Sequence, residues 1–123
     1  MNKKNNEFET IFNLLKKVLV KYENRLTVTI DKTDRYNLNA GYSEKHKRDI
    51  YFGGVEIKKN YVSFHLMSVY VNPKLLSNLS PELKKRMQGK SCFNFKKADE
   101  LLFKELSVLT KNAFDFFKRD RMI

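Results

Sequence analysis

The run Tyr51-Phe52-Gly53-Gly54-Val55-Glu56-Ile57-Lys58-Lys59-Asn60-Tyr61-Val62-Ser63-Phe64-His65-Leu66-Met67 decides the architecture. Two strand-like segments, Asp49 to Lys58 and Tyr61 to Met67, flank Lys59-Asn60. Asparagine at the second loop position tolerates the left-handed backbone of a tight turn. With Lys58 opposite Tyr61, the pairs Ile57/Val62, Val55/Phe64 and Gly53/Leu66 make one apolar face. The other face then pairs Glu56 with Ser63, Gly54 with His65 and Phe52 with Met67. A one-residue slip would scramble both faces, so this register is the expected one.

Working outward, Phe8, Ile11, Phe12, Leu15, Val18, Leu19 and Tyr22 recur at helical spacing and predict an amphipathic N-terminal helix. Leu26-Thr27-Val28-Thr29-Ile30 alternates as a half-buried strand does. Residues 31–49 are polar, and the only extended piece legible there lies around Tyr36 to Leu38. Beyond the hairpin, Val69 to Val71 reads as a continuation of the second strand ended by Pro73, and Leu75, Leu76 and Leu79 as a short turn or helix. Ser80-Pro81-Glu82 is a compact helix start: serine caps, proline takes the first helical position, and glutamate sits in the first turn. Gly89 is expected to end that helix, near 81–88, as a left-handed cap. Lys90 to Lys96 forms a strand with Phe93 and Phe95 on one side, Cys92 and Asn94 on the other. A last helix from about Ala98 to Lys118 carries the stripe Leu102, Leu106, Leu109, Ala113, Phe116 and Phe117. Helices at both ends with strands between them predict a single α+β domain over 1–123, with helices covering one face of a small antiparallel sheet.

Composition narrows the function classes. The 123 residues include 10 Phe and 6 Tyr, which argues against disorder. One cysteine, Cys92, excludes an intramolecular disulfide and a cysteine metal cage. It suits a reducing, cytoplasmic compartment. The basic N-terminus leads into a segment interrupted by Lys16, Lys17 and Lys21 with no small-residue cleavage site, so no signal peptide is expected. No apolar run is long enough to span a bilayer, and no membrane partner is expected. The net charge of +11 asks for an anionic partner or, in the alternative, for a lysine- and asparagine-rich compositional bias of the kind AT-rich genomes produce.

Two segments carry a resemblance, 51–67 above and Gly89-Lys90-Ser91-Cys92-Phe93-Asn94-Phe95-Lys96. Both resemble the YdhG-like proteins, a bacterial family filed as domain of unknown function 1801, and the likeness covers about residues 50–118. It implies a compact cytosolic α+β domain. One branch of that family is linked to a frataxin-like iron-handling role, which depends on a dense acidic ridge near the first helix and strand. Here Glu7, Glu9, Glu23, Asp31 and Asp34 are interspersed with Lys16, Lys17, Lys21, Lys32 and Arg35. Hard cations want clustered carboxylate oxygens, and this pattern does not supply them.

The candidate site residues follow from charge. Lys84, Lys85, Arg86, Lys90, Lys96 and Lys97 occupy a stretch without a single acid between Leu83 and Ala98. Clustered cations displace counterions from phosphates, so an anionic ligand or nucleic acid is the expected partner. The competing reading places Lys84 to Arg86 in the last turns of a helix, where cations complement the dipole. Gly89-Lys90-Ser91 resembles the end of a phosphate-binding loop, but Lys84 stands where that loop needs glycine, and a helix precedes it where a strand should. His65, facing Gly54, has space above the sheet, and Glu56 lies two residues along on the neighbouring strand. A Glu–His pair can do acid–base work, yet a strand histidine is more often a packed one. Cys92 has Lys90 and Lys96 nearby to favour a thiolate, though a single strand cysteine is usually a small buried hydrophobe. His46 is expected in a solvated loop, and Tyr51, Phe52 and Tyr61 beside Lys58 and Lys59 as core or as base-stacking rings. We therefore expect a non-enzymatic binding domain with no catalytic set, no metal site and no cofactor. Its ligand contacts would come from Lys84, Lys85, Arg86, Lys90, His65 and Glu56. The alternatives are a frataxin-like iron chaperone and a small enzyme using the His65/Glu56 face.

Overall fold

The computed structural model describes residues 3–120, with side chains from residue 7. Helix α1 (Lys3–Val20) leads into β1 (Thr27–Asp31), β2 (Arg35–Ser43), β3 (Arg48–Ile57) and β4 (Val62–Leu66). Two short helical pieces follow, α2 (Met67–Val71) and a 3₁₀ turn (Pro73–Leu76). The one-turn helix α3 (Pro81–Lys84), β5 (Met87–Gln88), β6 (Cys92–Phe95) and α4 (Glu100–Arg119) complete the chain. The strands form one antiparallel sheet in the order β1-β2-β3-β4-β6-β5. This is the expected α+β class, with the two long terminal helices packed on the sheet.

The hairpin register is the one its hydrophobic pattern requires: Gly53↔Leu66, Gly54↔His65, Val55↔Phe64, Glu56↔Ser63 and Ile57↔Val62. Lys58 N–H donates to the Tyr61 carbonyl at 2.8 Å and closes the turn. The inner face buries Val55, Val62, Phe64, Leu66, Phe93 and Phe95 against Ile11, Phe12, Leu15 and Leu19 of α1 and Leu106, Ala113 and Phe117 of α4.

Phe52 does not pair with Met67 on the outer face. Gly53 pairs with Leu38 and Tyr51 with Asn39, so Phe52 is an extra residue on β3; Ala40 is the matching extra residue on β2, because Gly41 pairs with Ile50. These opposed bulges restore the register beyond them and exchange faces between them. Phe52 thereby turns inward and is fully buried, its ring 5.3 Å from Phe117 and 6.1 Å from Phe114. Tyr51 turns outward.

Other expectations need correction. The 35–43 stretch, read as little more than a short extended piece, is a nine-residue strand, because Tyr36 and Leu38 are buried and it pairs on both sides. Strand β1 exists but is an exposed edge, not a half-buried strand. Val69 to Val71 is helical: Val69 and Ser68 are buried, and Ser68 Oγ donates to the Ala113 carbonyl of α4 at 3.1 Å. The helix begun at Ser80 is capped as expected, Leu83 N–H donating to Ser80 Oγ at 3.2 Å, but it ends at Lys84. Gly89 has the expected positive φ of 74°, yet it turns the β5–β6 hairpin instead of capping that helix.

Candidate functional site

The acid-free stretch does not fold into one patch. Lys84 ends α3, Lys85 is its C-cap, and Arg86 lies in the turn before β5; all three are exposed. With α3 only one turn long, a helix dipole accounts for little of this charge. Lys90, in the turn between β5 and β6, sits 5.8 Å from the Tyr70 ring centroid. Arg86 instead converges with Lys96 and Lys97 on a cleft of about 460 Å³, shared with Phe95, Ala98, Asp99 and Leu102. Strand β6 delivers Lys96 and Lys97 there as it runs out toward α4. The Asn94 N–H, donating to the Arg86 carbonyl at 2.8 Å, holds the Arg86 backbone beside β6.

The cleft lies at the N-terminus of α4, where free N–H groups carry partial positive charge. Asp99 is its only acid, and its Oδ1 is engaged as the helix cap, accepting from Leu102 N–H at 3.1 Å. Among the described residues, ion pairs engage Lys16, Arg35, Lys45, Lys58 and Lys111, and none engages Arg86, Lys96 or Lys97. Sequence reasoning counted these three cations, but it could not show that they, and not Lys84, Lys85 and Lys90, face one space.

The second cluster occupies the sheet face turned away from α1. His65 lies opposite Gly54 as expected. The space above Gly54 is filled, however: a Cβ there would meet Asn37 Oδ1, the Tyr51 hydroxyl and the Tyr36 carbonyl. Glu56 does not partner His65. Its Oε1 takes Lys58 Nζ at 3.1 Å and lies 4.0 Å from Arg35 Nε. The partner His65 does find is Cys92, directly opposite on β6, with Sγ 3.1 Å from Nδ1 and 3.3 Å from Nε2. Ser63 Oγ stands 3.3 Å from Nε2.

Burial pulls the His65 imidazole below its ordinary range; Lys58 and Arg35 push the same way, and Glu56 opposes them. Burial raises the Cys92 thiol, against hydrogen bonds from Ser63 and Ser91 and the charge of Lys58. Burial also raises the Tyr51 phenol, so it stays protonated as a neutral group. His46, expected in solvent, is half-buried with Nε2 3.8 Å from Asp120 Oδ2, while Lys45 Nζ binds Oδ1 of the same carboxylate at 2.7 Å.

Among the described residues no group of three His, Cys, Asp or Glu side chains is placed to hold a metal ion. No helix among them is long and apolar enough to cross a membrane. No family model, curated protein or solved structure matches the chain.

Proposed function

We propose that this is a non-enzymatic cytoplasmic binding domain of the YdhG-like kind, and that it takes phosphate-bearing partners, nucleic acid among them, on its basic surface. The observation that carries the proposal is the convergence of Arg86, Lys96 and Lys97, free of ion pairs, on one cleft at the start of α4. Guanidinium and ammonium groups gathered on one cleft suit a phosphate, the guanidinium bidentately. The remaining surplus of cations on a +11 chain adds long-range attraction toward polyanions. Lys84, Lys85 and Lys90 are not among the residues that line the cleft and contribute only to the general positive surface.

The test is a salt titration of oligonucleotide binding by fluorescence anisotropy. Affinity should fall steeply with salt, and Arg86→Gln/Lys96→Gln/Lys97→Gln should flatten the slope of log K against log salt by about 2–3. Neutralising Lys84, Lys85 and Lys90 instead should weaken binding without abolishing it. Absence of binding at low salt overturns the proposal, as does a triple variant indistinguishable from the parent.

A further inference from the structure

A groove of about 260 Å³ opens to solvent between α1 and α4, apart from the cleft that gathers Arg86, Lys96 and Lys97. On α1 its lining residues are Leu14, Lys17, Val18 and Lys21, spaced i, i+3, i+4 and i+7. On α4, Glu100, Phe103, Lys104 and Ser107 repeat that spacing. Each wall is therefore one helix face over two turns, about 10 Å long.

The floor of the groove is apolar. Val18 and Phe103 are buried, and Leu14 is half-buried against the core. Beside it on α4, Leu101 and Val108 share a ridge with Lys104 and are 79% and 61% exposed, the highest values for large apolar side chains among the described residues. Leu14, Leu101 and Val108 all lie off the stripes that face the sheet, so the fold itself does not call for their apolar character.

The rim is cationic. Lys17 and Lys21 stand one turn apart along the α1 edge, and Lys104 stands on the α4 edge, all three exposed. Among the described residues, none of them enters an ion pair. Glu100 is the one acid that lines the groove.

An apolar floor two helical turns long, edged by unpaired cations, fits a helix with an apolar edge and acidic flanks. A second copy of this chain has the wrong charge: each carries +11, and pairing two such grooves would set their lysines against one another. A flat bilayer surface would meet the Leu101–Val108 ridge and leave the recessed Val18 and Phe103 uncovered. We propose that the α1–α4 groove is the docking site for an acidic amphipathic helix of a partner protein. The apolar edge of that helix packs on Leu14, Val18 and Phe103, and its carboxylates meet Lys17, Lys21 and Lys104.

The probe is a fluorescein-labelled peptide of about 18 residues, with leucine at i, i+3, i+4 and i+7 and glutamate on both flanks. Anisotropy should show it binding at low salt, a scrambled peptide of the same composition binding at least about tenfold more weakly, and a version with lysine for glutamate not binding. Lys17→Gln/Lys21→Gln/Lys104→Gln should weaken binding by about tenfold. Arg86→Gln/Lys96→Gln/Lys97→Gln removes the same charge elsewhere and should leave it within about threefold, which separates the groove from the anion cleft. Ser107→Phe, which plugs the groove without changing charge, should also cost about tenfold. Should that variant fail to fold, Leu101→Ser at an exposed position should still weaken binding several-fold. Equal losses in the two triple variants, equal binding of the scrambled peptide, or no binding at about 1 mM overturns the proposal. So does binding to anionic vesicles that is lost in the Lys17/Lys21/Lys104 variant, which assigns the face to a membrane. A dimer in sedimentation that Ser107→Phe dissolves assigns the groove to a second copy and overturns it as well.

Discussion

Glu105 of α4 holds Ser80 by both of its donors: the Ser80 N–H reaches Oε2 at 2.6 Å and the hydroxyl reaches Oε1 at 2.7 Å. The same hydroxyl oxygen accepts the Leu83 N–H and so starts α3. One carboxylate thus orients the cap of a helix that is too short to sustain itself, and Leu83, fully buried, is the apolar anchor beside it. Glu105→Ala should cost about 1–3 kcal/mol, because it strands a charge-assisted pair of donors. Urea unfolding would measure that loss. Hydrogen exchange should locate the added opening between the 3₁₀ turn and β5, leaving the β3–β4 ladder protected.

Phe52→Ala should be among the most damaging single truncations, at about 3–5 kcal/mol. Its ring fills the space between Tyr22, Phe114 and Phe117, with edge-to-face contacts to the last two. If Phe52 instead faced outward from a regular strand, truncation would cost little, so the unfolding midpoint discriminates between the bulged and regular ladders.

Gly54→Ala should destabilise by about 1–3 kcal/mol, since the new methyl would collide with Asn37 Oδ1 and stand 2.6 Å from the Tyr51 hydroxyl and 2.8 Å from the Tyr36 carbonyl. Removing the phenol leaves the Asn37 side chain and the carbonyl in place. Tyr51→Ala should therefore recover only part of the loss, and a double-mutant cycle reads the recovered fraction as a coupling energy.

The His65 imidazole is held below its ordinary value of 6.5 in the folded chain. Between that depressed value and 6.5 the unfolded chain binds more protons, so stability rises with pH across this window and is lost on acidification through it. Urea midpoints taken from pH ~7 down to ~5 should fall more steeply for the parent than for His65→Gln. Identical pH profiles would remove His65 as the source.

Local patterns made much of this fold legible. The Gly53–Leu66 part of the hairpin could be registered pair by pair because a period of 2 makes a single slip exchange both faces, whereas the Phe52/Met67 pairing expected beyond it fails at the bulge. The stripes of α1 and α4 were equally plain. Strand β2 was not, since its inward residues Tyr36 and Leu38 are separated from the rest of the strand by the bulge at Ala40, which breaks the alternation. Phe52 was assigned to the wrong face for the same reason. The Cys92–His65 contact depends on which strand lies beside β4. Inward Phe93 and Phe95 implied an outward Cys92, but only the strand order brings it opposite His65. The cleft cations were visible as charge, and their convergence rested on the unexpectedly early end of α3.

The sheet finishes on β1 at one side and on the two-residue β5 at the other. β5 is too brief to template a neighbour. β1 is longer and exposes Val28, but Thr29 has no opposite residue on β2, since Val28 pairs with Leu38 and Ile30 with Asn37. That one surplus residue puts β1 out of step with any straight incoming strand. Thr29 thus guards this border as an irregularity, whatever its chemistry. Deleting it should yield a better-ordered border and a protein that polymerises through it, visible as concentration-dependent light scattering.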